Sequence, residues 1–144
     1  MILFLDFDGV CHPWRRSVAQ EFCYLPRIEA VLRDFPLARV VISSDWRLMT
    51  PWHLLVSPFA SDIRPRVIGT APDIGLPEDL TGHRHTEAIA FLAERNLTGI
   101  DWVALDDVAH NWRVDEPRLI LCEDGFHERE QQLLREALAA ASPA

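Results

Sequence analysis

Two aspartates, Asp6 and Asp8, close a short apolar run, and an adjacent pair, Asp106 and Asp107, closes a later one. Gathered in one place, four carboxylates repel: a pair about 4 Å apart costs roughly 4 kcal/mol at an effective dielectric near 20. Such a cluster needs a cation. Oxygen ligands without His or Cys favour a hard ion, and Mg²⁺ is the expected cofactor, because it is held by few carboxylates, keeps several waters and takes up phosphate. Asp6, Asp8, Asp106 and Asp107 are the candidate ligands. The chemistry that follows is phosphoryl transfer. Asp6 can attack phosphorus and carry an aspartyl-phosphate. Asp8, two residues on and past the strand end, can protonate the leaving oxygen and then activate water. Ser43 and Ser44 close another apolar run and offer hydroxyls to phosphate oxygens. The guanidinium of Arg84, at the start of a helix, can neutralise charge on the transferred group. Gly9 lets the backbone come close to a ligand.

The elements that must hold these residues are legible as alternating short apolar runs and helical stretches. Residues 2–6 read as a strand buried on both faces, 39–43 as a second buried strand, 65–68 as a short third, and 101–105 and 118–122 as the fourth and fifth. Pro26 fits the first turn of a helix reaching Phe35, with Ile28, Val31, Leu32 and Phe35 on one face. A tryptophan-rich helical stretch from Trp46 to Ala60 is interrupted near Pro51 and Pro58. His83–Arg95 reads as a helix with Ala88, Ile89, Phe91 and Leu92 inward. His127–Ala140 reads as the last helix, with Glu128–Gln132 and Gln131–Arg135 as facing pairs. Residues 11–24 read as a loop or flap and 69–82 as a loop, and the tail from Ala139 to Ala144 is expected to fray. Strands alternating with helices predict an α/β fold, a Rossmann-like doubly wound parallel sheet of about five strands with helices on both faces. Such sheets bind ligands beyond the carboxyl ends of their strands, where the candidate residues all lie.

The 144 residues fit one domain over 1–144, large enough to bury a core without disulfide or zinc staples. The net charge of −8 argues against a dedicated nucleic-acid coat, though not against a basic rim, for which Arg15 and Arg16 are candidates. Cys11, Cys23 and Cys122 lack zinc spacing and read as reduced thiols of a cytoplasmic protein. Asp6 and Asp8 cut the apolar N-terminal run short, so it reads as a strand and not as a signal peptide or membrane span.

The segment Leu5-Asp6-Phe7-Asp8-Gly9-Val10 resembles the first motif of the haloacid dehalogenase (HAD) superfamily of phosphatases. Val41-Ile42-Ser43-Ser44 resembles its second motif, Arg84 its third and Leu105-Asp106-Asp107 its fourth, in the family's order and across most of the chain. The third motif is usually Lys, and here Arg84 stands between His83 and His85. The resemblance implies that Asp6 and the backbone carbonyl of Asp8 bind Mg²⁺ together with a fourth-motif acid, Asp107 directly and Asp106 from behind. The 36 positions from Asp8 to Ser44 and the 40 from Ser44 to Arg84 leave no room for a large cap domain. An uncapped site suits a bulky phosphorylated partner such as a nucleic-acid end, and Ser43-Ser44-Asp45-Trp46-Arg47 also resembles small members associated with RNA end repair.

Two other readings stay open on these residues: a non-catalytic module that binds a metal or a phosphorylated ligand, and phosphotransfer to an acceptor other than water. Trp14, Trp46 and Trp112 follow three of the motifs and are candidates to stack a nucleobase. His12, His53, His110 and His127 show no ligand spacing and receive no role.

Overall fold

In a computed structural model, which describes residues 1–141, the apolar run Ile2–Leu5 forms β1 at the centre of a five-stranded parallel sheet. Arg39–Ile42 (β2) and Val67–Thr70 (β3) extend it on one side, and Trp102–Asp106 (β4) and Leu119–Leu121 (β5) on the other, giving the order β3-β2-β1-β4-β5. The chain therefore runs outward from β1 to β3, returns to β1's other edge as β4, and makes its switch point between β1 and β4.

Period-two alternation in the strands divides the core. Leu3 and Leu5 of β1 face the side covered by α1 (Leu25–Asp34), α2 (Trp52–Leu55) and α4 (Glu128–Ala140), where they pack among Ile28, Leu32, Leu55 and Leu134. Ile2 and Phe4 face the other side, where α3 (His83–Glu94) adds Ala88, Phe91 and Leu92. Only helices on both faces can cover strands that are apolar throughout, and the doubly wound layout is the result. Phe4 meets Phe91 and Trp102 edge to face, with ring centroids 6.2 and 5.6 Å apart.

Several expected boundaries shift for identifiable reasons. The third strand starts at Val67 and not at residue 65, because Arg64–Arg66 forms a 3₁₀ turn around Pro65. Arg66 then donates to the carbonyls of Leu32, Phe35 and Ala38, tying that turn to the end of α1. The stretch from Trp46 to Ala60 is two short pieces, a 3₁₀ segment Asp45–Leu48 and the single turn of α2, parted at Pro51. Ile89, expected inward, is 43% exposed, since Ala88 and Phe91–Leu92 already fill the stripe that faces the sheet. In α4 Gln132 bonds Glu136, while Arg135 reaches across to Asp34 of α1 at 2.7 Å, so neither expected pair is the one that forms. Ala139 and Ala140 complete the last turn of α4; residues 142–144 of the expected frayed tail lie outside the described residues. Cys11 and Cys122 are buried free thiols and Cys23 an exposed one. Among the described residues no helix is long and apolar enough to cross a membrane.

Candidate active site

Strand register brings the candidate residues together. Leu5 pairs with Ile42 on one side and with Leu105 on the other. The next residue of each strand is Asp6, Ser43 and Asp106, so three polar groups stand level at the carboxyl edge of the sheet. The Asp6 and Ser43 amides continue the ladder, to Leu105 O at 3.1 Å and Leu5 O at 2.8 Å.

Asp6, Asp106 and Asp107 each present a carboxylate oxygen within 4.8 Å of the others. Asp6 is almost fully buried, and its Oδ1 accepts the Phe7 amide at 2.8 Å, which fixes the side chain. Burial first, and the Asp106 carboxylate next, hold Asp6 well above the usual carboxylate range, against the opposing pull of Arg84. Asp107 is pushed up to about 6 by burial and by Asp106. Two acids thus resist ionisation because burial and the neighbouring carboxylates outweigh the pull of Arg84. An all-oxygen trio under that strain fits a hard divalent cation.

Asp106 is fully buried and its oxygens are already occupied. Oδ1 accepts the Val108 amide at 2.9 Å, Oδ2 accepts Trp112 Nε1 at 3.0 Å, and Asn111 Nδ2 lies 3.3 Å from both. Asp107 is half-buried and reaches the cleft above the sheet, which has a volume of about 430 Å³. Gly9 makes room for it. A Cβ on Gly9 would lie 2.1 Å from Asp107 Oδ2, and its φ of +74° belongs to the left-handed region.

Arg84, the second residue of α3, is 4% exposed. It donates Nη1 to the Ser43 carbonyl and Nη2 to Asp45 Oδ1 at 2.9 Å, and its Nε sits 3.8 Å from Asp106 Oδ2. It is the cation that balances the buried acids, and it also lines the cleft. Behind it Arg47 joins Glu87 of α3 at 2.9 Å and the carbonyls of Ser44 and Ala71, clamping the β2 exit to the β3 exit.

The two serines of the β2 exit are equally buried. Ser44 lines the cleft, and its Oγ accepts the Trp46 amide at 3.3 Å as the cap of the 3₁₀ segment. Ser43 is 1% exposed, and its Oγ is buried without a hydrogen-bond partner. The aromatics divide. Trp112 is core, and Trp46 packs its ring edge to face against Phe7 and Phe22. Trp14 alone of the three expected stacking residues stands open, 62% exposed at the cleft wall.

Asp8 lines the same cleft and is held by three side chains, of which sequence reasoning gave His12 no role. The turn after β1, in which the Val10 and Cys11 amides both bond Phe7 O, folds the chain back and sets His12 beside Asp8. His12 Nε2 is 2.8 Å from Asp8 Oδ1, Trp46 Nε1 is 3.3 Å from both oxygens, and Arg16 Nη1 is 3.4 Å from Oδ1. Arg16, expected on a basic rim, also lies over the Trp46 ring at 5.3 Å. The signal for His12 was its spacing of four from Asp8 across a glycine turn.

Compared with protein families, residues 2–130 match the one described as the HAD domain in Swiss Army Knife RNA repair proteins. The chain belongs to this family. The parallel sheet with helices on both faces is consistent with that membership. Searches of curated proteins and of solved structures returned no match.

Proposed function

We propose that this HAD domain is a Mg²⁺-dependent phosphomonoester hydrolase that works through an aspartyl-phosphate on Asp6. The observation that carries the reading is the trio of Asp6, Asp106 and Asp107 at the switch point, with Asp8 lining the same cleft. Asp6, Asp107 and the Asp8 carbonyl would hold the ion, with Asp106 orienting them from behind. Mg²⁺ bound there supplies positive charge against the phosphoryl oxygens. Asp6 attacks phosphorus, Asp8 gives a proton to the leaving oxygen, and Asp8 then takes one from the attacking water. Ser43, whose buried Oγ has no hydrogen-bond partner among the described residues, Ser44 and Arg84 would hold the transferred phosphoryl group, with Gly9 letting the backbone come close.

The family description points to RNA, and features of the cleft support an RNA end as the substrate. The cleft is open, no inserted cap covers it among the described residues, and Trp14 offers an exposed indole at its wall for base stacking. The experiment is a turnover screen with Mg²⁺ over an aryl phosphate, sugar phosphates, nucleotides, phosphopeptides and oligonucleotides phosphorylated at the 3′ or 5′ end. Turnover that a chelator abolishes, strongest on the oligonucleotides, is the expected result. Binding of a phosphate mimic without turnover of any ester would instead favour a non-catalytic module, and a phosphorylated product other than inorganic phosphate would show transfer.

The raised acids give a pH prediction. The folded-state values of Asp6 and Asp107 lie above the ordinary 3.8, and Asp107 stands at about 6. Over that interval the metal-free fold binds more protons than the unfolded chain. Their contribution to stability is therefore fullest in acid; that of Asp107 is lost as pH rises through about 6, and Asp6 acts in the same direction. Metal binding needs the ionised forms. The rise in Tm produced by Mg²⁺ should be small at about pH 5 and larger at about pH 7, as scanning calorimetry would measure. An increment independent of pH would contradict the coupling.

A further inference from the structure

His12 is 0% exposed, a polar ring enclosed by aromatics: its centroid lies 4.9 Å from Phe22 and 5.7 Å from Trp46. Both ring nitrogens have partners. The Phe22 backbone amide points at Nδ1 from 3.1 Å, and Nε2 lies 2.8 Å from Asp8 Oδ1. A backbone N–H only donates, so Nδ1 must carry a lone pair and Nε2 must carry the hydrogen. Phe22 reaches this position with a φ of +57°, a left-handed conformation that a bulky side chain rarely adopts. Strain of this kind persists where the surroundings enforce it, and here it aims the amide at the imidazole.

We propose that His12, locked in its Nε2–H tautomer by Phe22, is the positioning residue for Asp8; this rests on the hydrolase reading above. Asp8 Oδ1 accepts from His12, with Trp46 and Arg16 farther out, while Oδ2 meets only the shared Trp46 N–H. Oδ1 is thus committed as an acceptor, and Oδ2 is the oxygen that handles the proton. In the first step a bond forms between an Asp6 oxygen and phosphorus, the bond from phosphorus to the leaving oxygen breaks, and the proton on Asp8 Oδ2 passes to that oxygen. In the second, water oxygen bonds phosphorus, its proton goes to Asp8 Oδ2, and the Asp6–phosphorus bond breaks. His12 keeps its hydrogen throughout and fixes the plane of the carboxylate.

The test compares an ester that needs a proton at its leaving oxygen with one that does not. For glycerol 2-phosphate, His12→Phe should lower kcat/KM by about 10–100-fold, and for 4-nitrophenyl phosphate by less than about 3-fold, because proton donation matters little to a stable leaving anion. His12→Gln, whose amide can reach Asp8, should recover most of the loss. In the wild-type protein, nitrogen-15 spectra of the His12 ring should show Nε2 protonated and Nδ1 bare, a reading that does not depend on how the variants fold. Equal losses on both esters, no loss on either, or a hydrogen on Nδ1 would overturn the proposal. A wild-type protein that cleaves none of the esters screened above, oligonucleotides included, overturns the hydrolase reading itself, and that is seen before any variant is made.

Discussion

Asp6→Asn is expected to lower turnover by about 10⁴-fold or more, the scale on which loss of a covalent nucleophile is felt. The amide keeps the shape of the side chain and can still accept the Phe7 amide, but it cannot attack phosphorus. The same substitution should leave the metal-free protein as stable as the wild type or more so. It removes one of three crowded acids from a site where burial and Asp106 already disfavour the charge on Asp6. Loss of activity together with an undiminished Tm separates a chemical defect from a folding defect. Activity equal to that of the wild type would remove Asp6 from the chemistry.

Gly9→Ala is the second large effect, and it acts on two levels. The left-handed backbone at residue 9 costs a non-glycine residue about 1–3 kcal/mol. The added methyl would also stand 2.1 Å from Asp107 Oδ2 and 2.8 Å from Asp107 Cβ. The obstacle reaches back to the side-chain root, so rotating the carboxylate does not clear it, and Asp107 must leave the trio. Mg²⁺ affinity should fall by about 10–100-fold, as when the support of a metal ligand is lost. Titration calorimetry with Mg²⁺ and a thermal melt read the two levels separately. Wild-type affinity in the variant would show that Asp107 is not a ligand.

The architecture was largely legible because it rests on patterns local to the chain. Each strand is a short apolar run ended by a polar residue, and the motif order fixed which ends meet. What escaped the sequence depends on distant partners. The start of β3 was misplaced because Arg66 is held by carbonyls of the α1 exit, far away in the chain. Ile89 has the right residue type for the core and the wrong angle on its helix. Within the site, Asp6, Asp106 and Asp107 were brought together as expected from their strand ends. Ser43 and Ser44 are equally buried at the β2 exit, and what the sequence could not show is their partners: Ser44 Oγ accepts the Trp46 amide, while Ser43 Oγ has none among the described residues. His12 was passed over because isolated histidines carry no periodic signal; its place follows from a turn and from the amide of Phe22. Trp46, a candidate to stack a base, donates to Asp8, a contact that no local pattern announces.

The central claim is that phosphate is carried covalently on Asp6. Borohydride reduces an acyl phosphate on aspartate to homoserine, while an ordinary carboxylate is untouched. Wild-type protein turning over an aryl phosphate with Mg²⁺, quenched in acid, reduced and mapped by peptide mass, should show homoserine at position 6 and nowhere else. An unmodified Asp6 in protein that is releasing phosphate at the time of quenching, or homoserine at Asp8, Asp106 or Asp107, would contradict it.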